Sequence, residues 1–372
     1  MIAAKSASGS STRNDALSSA LSKIQFHLAL YKTFLVGRRD RFQEISKEPL
    51  DDTESFPKNL KVFFWTPSKT PGASVIVHDM LPELIRLVLE VAPTWKIQVG
   101  ERLPEHPVDW LICFKAVPEV DKVFGHPRKV LLICDQAEVY WNHLRKFVDI
   151  VTTSSRPFSN LLSTCHPRVS FISESEPLDN LVFGKINLAT SPAARGNVLL
   201  WHGGAYSQDA LNQLRPMLTD WAKTTDVKLH IVGGKGEPRQ EIWGTLAVHF
   251  FPWSKEQLQR SAAAARLGFV PARFSLKNSW LKPASRARCL YALGVPAIGD
   301  DRVPDAVDFM ASFNGPLAGR SRDWRSALAE LWNDSDSLDR LAAAGHAAVS
   351  EKFSTEQTAR QWLRYLSNTP IP

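Results

Sequence analysis

Lys282 and Arg286 stand four residues apart in Leu281-Lys282-Pro283-Ala284-Ser285-Arg286, with Ser285 between them. On a helix that spacing brings both cations to one face. Pro283 suits a first helical turn, where a missing N–H costs nothing. Ala287, Leu290, Tyr291 and Leu293 supply a packing face, Gly294 suits a left-handed C-cap, and Val295-Pro296-Ala297-Ile298 reads as buried strand. A helix start that offers free N–H groups, the positive end of a dipole and two cations is fitted to an anion, phosphate above all. The competing reading is a solvated pair of charges.

Other residues could share that chemistry. Gly203-Gly204 follows an apolar run and lets the backbone approach a ligand closely, although a tight turn uses the same residues. Gly233-Gly234-Lys235-Gly236 is Gly-rich without the spacing of a Walker loop, so Lys235 points at a phosphate or at solvent. Asp135 follows the run Val130–Cys134 at a strand end, a place for a general base acting on a hydroxyl or for a helix cap. His78 and His143 rank behind it. Cys113, Cys134, Cys165 and Cys289 show no metal-ligand spacing, and the first two read as buried thiols of a reducing compartment.

The elements that must position these groups alternate. From Asp15, apolar residues Leu17, Leu21, Ile24, Leu28, Tyr31 and Leu35 recur at spacings of three and four, which predicts an amphipathic helix over 15–36 with Leu21, Ile24 and Leu28 on its buried side. It serves its own globule, a partner helix or a membrane surface. Strand-like runs follow at Leu60–Trp65, Trp95–Val99, Trp110–Phe114, Lys129–Cys134, Ile150–Thr153 and Val169–Ile172, with helical segments between several of them. A Ser-, Pro- and Asn-rich stretch over 174–196 reads as a linker. The period then restarts at Asn197–Trp201, Lys228–Val232, Val248–Phe251 and Leu267–Pro271, and helical patterns close the chain. Alternation of this kind calls for an α/β fold with parallel sheets covered by helices on both faces. The expected division is 1–58, a polar start with the amphipathic helix and a link; 59–180, a first Rossmann-like domain; and 181–366, a second, with a ligand cleft between the two.

The order of parts is more specific than any part alone: strand then Gly203-Gly204, strand then Gly233-Gly234, Phe251-Pro252-Trp253-Ser254, and Lys282-x-x-x-Arg286 before Gly294-Val295-Pro296. It resembles the GT-B glycosyltransferases, over most of residues 60–366 and most clearly from Asn197 onward. The resemblance implies a two-domain GT-B fold whose first domain faces the acceptor and whose second binds a nucleotide sugar. It implies that Lys282 and Arg286 meet the donor diphosphate, and that Gly203 and Gly204 face either that diphosphate or the acceptor side of the cleft. Ser285, at the same helix start, and Gly233 and Lys235, in the next glycine loop, are the further candidates for the substrate. The base would lie at Trp253 and Ser254, unless Trp253 is a core anchor. His202 would donate to the sugar or merely finish its strand. Leu281 and Cys289 depart from the pattern, because many GT-B enzymes carry carboxylates at these two places, the second for the donor ribose.

The resemblance further implies a metal-independent, hexosyltransferase-like enzyme without a cofactor, passing a sugar to a glycan or lipid-linked acceptor in cell-surface polysaccharide synthesis. The alternatives are a nucleotide-sugar epimerase and a non-catalytic binding or scaffold protein, the latter favoured by the missing carboxylates. Across 372 residues, 45 Lys and Arg against 38 Asp and Glu leave a charge of +7, suited to an anionic substrate or membrane surface. No basic run interleaved with aromatics points to nucleic acid. No apolar run reaches the roughly 18 residues of a membrane span, so the expected location is cytoplasmic, with a peripheral place at the inner membrane face left open.

Overall fold

The computed structural model describes residues 25, 28, 43–44, 56–67, 80–114, 125–133, 148–176, 190–204, 207–272 and 281–368. Its strands form two separate seven-stranded sheets. The first holds β1 (Gln43–Glu44), β2 (Lys61–Trp65), β3 (Lys96–Gly100), β4 (Trp110–Phe114), β5 (Arg128–Ile133), β6 (Ile150–Thr153) and β7 (Val169–Phe171). All are parallel, in the order β1-β7-β6-β5-β4-β2-β3. Residues such as Trp110–Phe114, buried throughout, make a strand hidden on both faces, as a parallel sheet requires. Helix α1 (Leu81–Val91) covers one face and α2 (Arg156–Leu162) the other.

The second sheet holds β8 (Val198–His202), β9 (Lys228–Val232), β10 (Arg239–Trp243), β11 (Leu246–Phe251), β12 (Ala265–Phe269), β13 (Ala297–Asp300) and β14 (Leu317–Ala318). Their order is β10-β11-β9-β8-β12-β13-β14, parallel except for the β10–β11 hairpin at one edge. Helices α3 (Gln208–Trp221) and α7 (Trp324–Trp332) cover one face. Helices α4 (Lys255–Ala264), α5 (Ser285–Ala292) and α6 (Pro304–Ala311) pack on the other, joined by the end of α8 (Ser335–Phe353), whose start, at Leu338 and Leu341, belongs to the core under α3 and α7. The last helix, α9 (Thr355–Asn368), lies against α1 in the first lobe.

The successor of β8 in the chain pairs on one side of it, and β12 on the other. The direction of winding therefore reverses between β8 and β12. In open α/β sheets, ligands bind outside the strand ends at such a reversal.

Several expectations need correction. Helix α5 starts at Ser285, two residues later than Pro283 suggests, because the Asp305 carboxylate takes the Ala284 N–H at 2.7 Å and sets the helix boundary there. Leu28 is helical but 56% exposed, against the buried side expected for it. Gln25 is helical too, and the other residues of 15–36 lie outside the described residues. Gly294 does take the left-handed conformation, φ 67°, and closes α5.

Candidate functional site

Strand β8 delivers His202 and Gly203 to the reversal point, and β12 delivers Pro271 beside them. Helix α5 points its first turn at the same place. Arg286 joins the three: its Nη2 donates to the Pro271 carbonyl at 3.4 Å, while its Nη1 lies 3.3 Å from where a Cβ on Gly203 would stand. The Nη1 group is buried and has no hydrogen-bond partner. Burial lowers the guanidinium pKa to about 10, and Asp300 opposes that from a distance. Asp300 is itself committed, accepting from Arg302 Nη2 at 2.5 Å and from the Ala272 N–H at 2.7 Å. Arg286 as a whole is half-buried, but its Nη1 is out of water with no partner, and a buried donor left unsatisfied is costly and needs a reason to persist.

His202 holds this cation in place. Its Nε2–H donates to the carbonyl of Arg286 at 3.0 Å, which ties the first turn of α5 to the end of β8. Burial pushes the imidazole down to about 4, and the nearby guanidinium adds to the shift, so the ring is neutral near pH 7.

The two glycine loops touch. Gly203 N–H donates to the Val232 carbonyl at 3.1 Å, and a Cβ on Gly233 would fall 2.1 Å from the Gly203 oxygen. Only glycine fits there. Gly204 is exposed, with open space where a side chain would be. The Gly234 carbonyl accepts from the Trp253 N–H at 3.3 Å and brings the third loop alongside. Trp253 is 45% exposed, so its indole is open to a stacking partner. Ser254 caps α4, accepting from the Gln257 N–H at 3.1 Å.

The structure thus gathers His202, Gly203, Gly204, Gly233, Trp253, Ser254 and Arg286 around the strand ends of the second sheet. Ser285 and Lys282 belong to the first turn of α5 and the loop before it, both half-buried. The N–H groups of Ser285 and Arg286 stand where helix geometry supplies no carbonyl. Lys235 sits exposed in the loop between the left-handed residues Gly234 and Gly236. Asp135, His78 and His143 lie outside the described residues.

Sequence reasoning missed Pro271, Asp305 and Arg288. Pro271 contributes a backbone carbonyl, which carries no residue signature. Arg288 is buried, and nothing in its spacing separates it from a solvated helix arginine. Of the two departures, Leu281 is buried in the core of the first lobe, and the Cys289 thiol is pushed up by burial. Among the described residues no cluster of three or more His, Cys, Asp or Glu could hold a metal. The one Asp-x-Asp triplet in the sequence, Asp334-Ser335-Asp336, begins α8, where Asp334 accepts from the Ser337 N–H at 3.0 Å as an N-cap.

Two facing βαβ lobes with this site define the GT-B fold, and the solved structures similar to this chain are GT-B glycosyltransferases. HepE of Anabaena, in complex with UDP-glucose, superposes with a TM-score of 0.58 at 13% identity, over 82% of this chain and 98% of that one. A glycosyltransferase from Rickettsia africae ESF-5 gives 0.58 at 11% identity, over 83% and 98%. WaaG, a glycosyltransferase involved in lipopolysaccharide biosynthesis, gives 0.53 at 10%, over 83% and 100%. No protein-family model matches the sequence, and no curated protein does.

Proposed function

We propose that this protein is a metal-independent glycosyltransferase that moves a sugar from a nucleotide diphosphate to a glycan or lipid-linked acceptor in cell-surface polysaccharide synthesis. The observation that carries the reading is Arg286: a half-buried arginine at the reversal point of the second sheet, whose Nη1 is buried and unpartnered, with a bare glycine loop in front of it. As the bond between sugar and phosphate breaks, charge grows on the departing diphosphate. Donors already aimed at that charge lower the barrier without having to reorganise. Arg286, the first-turn amides of α5 and Lys282 are those donors in this reading. Gly203, Gly204 and Gly233 allow the phosphates to approach, and Trp253 stacks on the base. Asp135 remains the candidate base for the acceptor hydroxyl.

Donor binding without turnover is the second reading, favoured by Leu281 and Cys289. A thiol held protonated accepts ribose hydroxyls poorly. The deciding experiment is calorimetric titration with UDP, followed by turnover of UDP-glucose, the donor seen in the HepE complex. Charge-assisted contacts are worth about 1.5–3 kcal/mol, so Arg286→Ala should weaken UDP binding roughly ten- to a hundredfold. Arg286→Lys should recover part of it, since an ammonium lacks the planar fork. Unchanged binding in folded Arg286→Ala would remove the reading's main support.

A further inference from the structure

Two residues after Arg286, Arg288 is buried inside α5, its side chain only 1% exposed. Its Nε donates to Glu176 Oε1 at 3.3 Å, Nη1 lies 3.7 Å from Asp305 Oδ2, and Nη2 lies 3.9 Å from Glu174 Oε2. The guanidinium also sits over the Phe353 ring, 4.4 Å from its centre. These partners come from different parts of the molecule. Glu174 and Glu176 follow β7, where the chain leaves the first lobe. Phe353 ends α8, where the chain returns to it. The two crossings are joined directly, since Glu176 N–H donates to the Phe353 carbonyl at 2.7 Å and Glu176 pairs with Ser354 in a parallel bridge. Ser173 and α9 continue the seam, with Ser173 Oγ donating to Gln361 Oε1 at 2.9 Å and Thr358 Oγ1 donating to the Ser173 carbonyl at 3.3 Å.

The same network reaches the first turn of α5. Asp305 Oδ2, beside Arg288, accepts the Ala284 N–H at 2.7 Å and so fixes the start of the helix. Glu174 accepts from Ser154 Oγ at 3.1 Å, which extends the network to the turn after β6. Leu281, just ahead of α5, is buried among first-lobe residues such as Phe63 and Phe158. Helix α5 is thus held from both lobes: through Leu281 at its approach and through Arg288 in its second turn.

We infer that Arg288 is a positioning residue that locks the first turn of α5 to the paired chain crossings, so that movement between the lobes and the orientation of Ser285 and Arg286 are coupled. An arginine can serve several partners at once because its donors lie in a rigid fork, which a lysine does not reproduce. The functional consequence rests on the reading of α5 as the donor-phosphate helix. The coupling itself does not.

The test uses full-length wild type, Arg288→Met and Arg288→Lys, followed by hydrogen exchange without ligand. In Arg288→Met the amides of 287 and 288, which donate to the Ala284 carbonyl, and those of 353–358 should both exchange at least tenfold faster, rising together, and Arg288→Lys should show a smaller rise in both. A rise confined to one of the two segments overturns the inference, as does a lysine variant no better than methionine. Should Arg288→Met fail to fold, Arg288→Lys decides alone by the same criterion. With UDP as the probe, folded variants should bind more weakly than wild type but by less than tenfold, because Arg286 and Lys282 are present with their orientation loosened, while turnover of UDP-glucose falls at least tenfold, with a smaller change in KM than in kcat. An equal loss in KM and kcat would assign Arg288 to binding and overturn the positioning role. If wild type binds no UDP, the donor reading fails, and the ligand-free exchange still decides the coupling.

Discussion

Single atoms decide most of what this site can do. At Gly233 an added methyl would meet the backbone oxygen of Gly203 at 2.1 Å, and neither loop can yield without breaking the bond between Gly203 and Val232. Gly233→Ala should therefore lower UDP affinity at least tenfold, as titration would show, while Gly204→Ala, with open space at that position, should leave folding unchanged. His202 sets a pH dependence. The unfolded chain takes up a proton near pH 6.5, the folded one near 4, so the unfolded state binds more protons between these values. That part of the stability is complete above pH 6.5 and is lost as the pH falls toward 4. His230, also lowered to about 4 by burial, acts in the same direction. The melting temperature should fall between pH 6.5 and 4.5, and less steeply in His202→Asn; an identical slope would show that His202 is not the proton acceptor. Arg286 was legible in the sequence because its place before Gly294-Val295-Pro296 set it at a strand end. Arg288 was not, since its partner Glu176 lies 112 residues away and no local spacing marks it.

Among the elements, the buried parallel strands announced themselves as short apolar runs, and the edges did not. Strand β10 is mostly exposed along a sheet edge, with Arg239, Gln240 and Ile242 in contact with solvent and only Trp243 buried, so its sequence carries no apolar run. Helix α6 is eight residues long and opens with Pro304-Asp305, which reads as loop; Asp305 earns its place only through Ala284 and Arg288 in space. The packing of α8 on α5 gives a test at this scale. Gly345 lies inside α8, where alanine is intrinsically better by about 1 kcal/mol. A Cβ there would come 2.1 Å from the ring of Tyr291, which is fully buried and donates its hydroxyl to the Ala297 carbonyl at 2.8 Å. Overpacking of a filled core costs about 1–3 kcal/mol, so collision outweighs propensity and Gly345→Ala should destabilise. Denaturant unfolding measures it; a stabilised variant would mean that α8 stands off from α5.

At the scale of the whole molecule, the last helix completes the first lobe. Trp362, Leu363, Tyr365 and Leu366 are buried in the same core as Phe64, Trp110 and the inner face of α1. The Trp362 ring meets Phe64 edge-on at 5.4 Å, Tyr365 lies 5.4 Å from Trp110, and Thr152 Oγ1 donates to the Tyr365 hydroxyl at 3.2 Å. The apolar spacing of 356–366 was visible in the sequence as a helix, but which lobe it joined was set by contacts some 200 to 300 residues apart. Residues 59–180 therefore lack part of their own core until α9 docks. Removing a buried Trp side chain costs about 3–5 kcal/mol. Because Trp362 touches the first lobe, that loss should fall there first: in Trp362→Ala the amides of β2 and β4 should exchange much faster, while those of β8 and β9 keep wild-type protection. Addition of UDP should then protect β8 and β9 further without restoring β2 and β4. Equal acceleration in both sheets would show instead that the seam at Glu176 and Phe353, with Arg288 across it, makes the two lobes unfold as one unit.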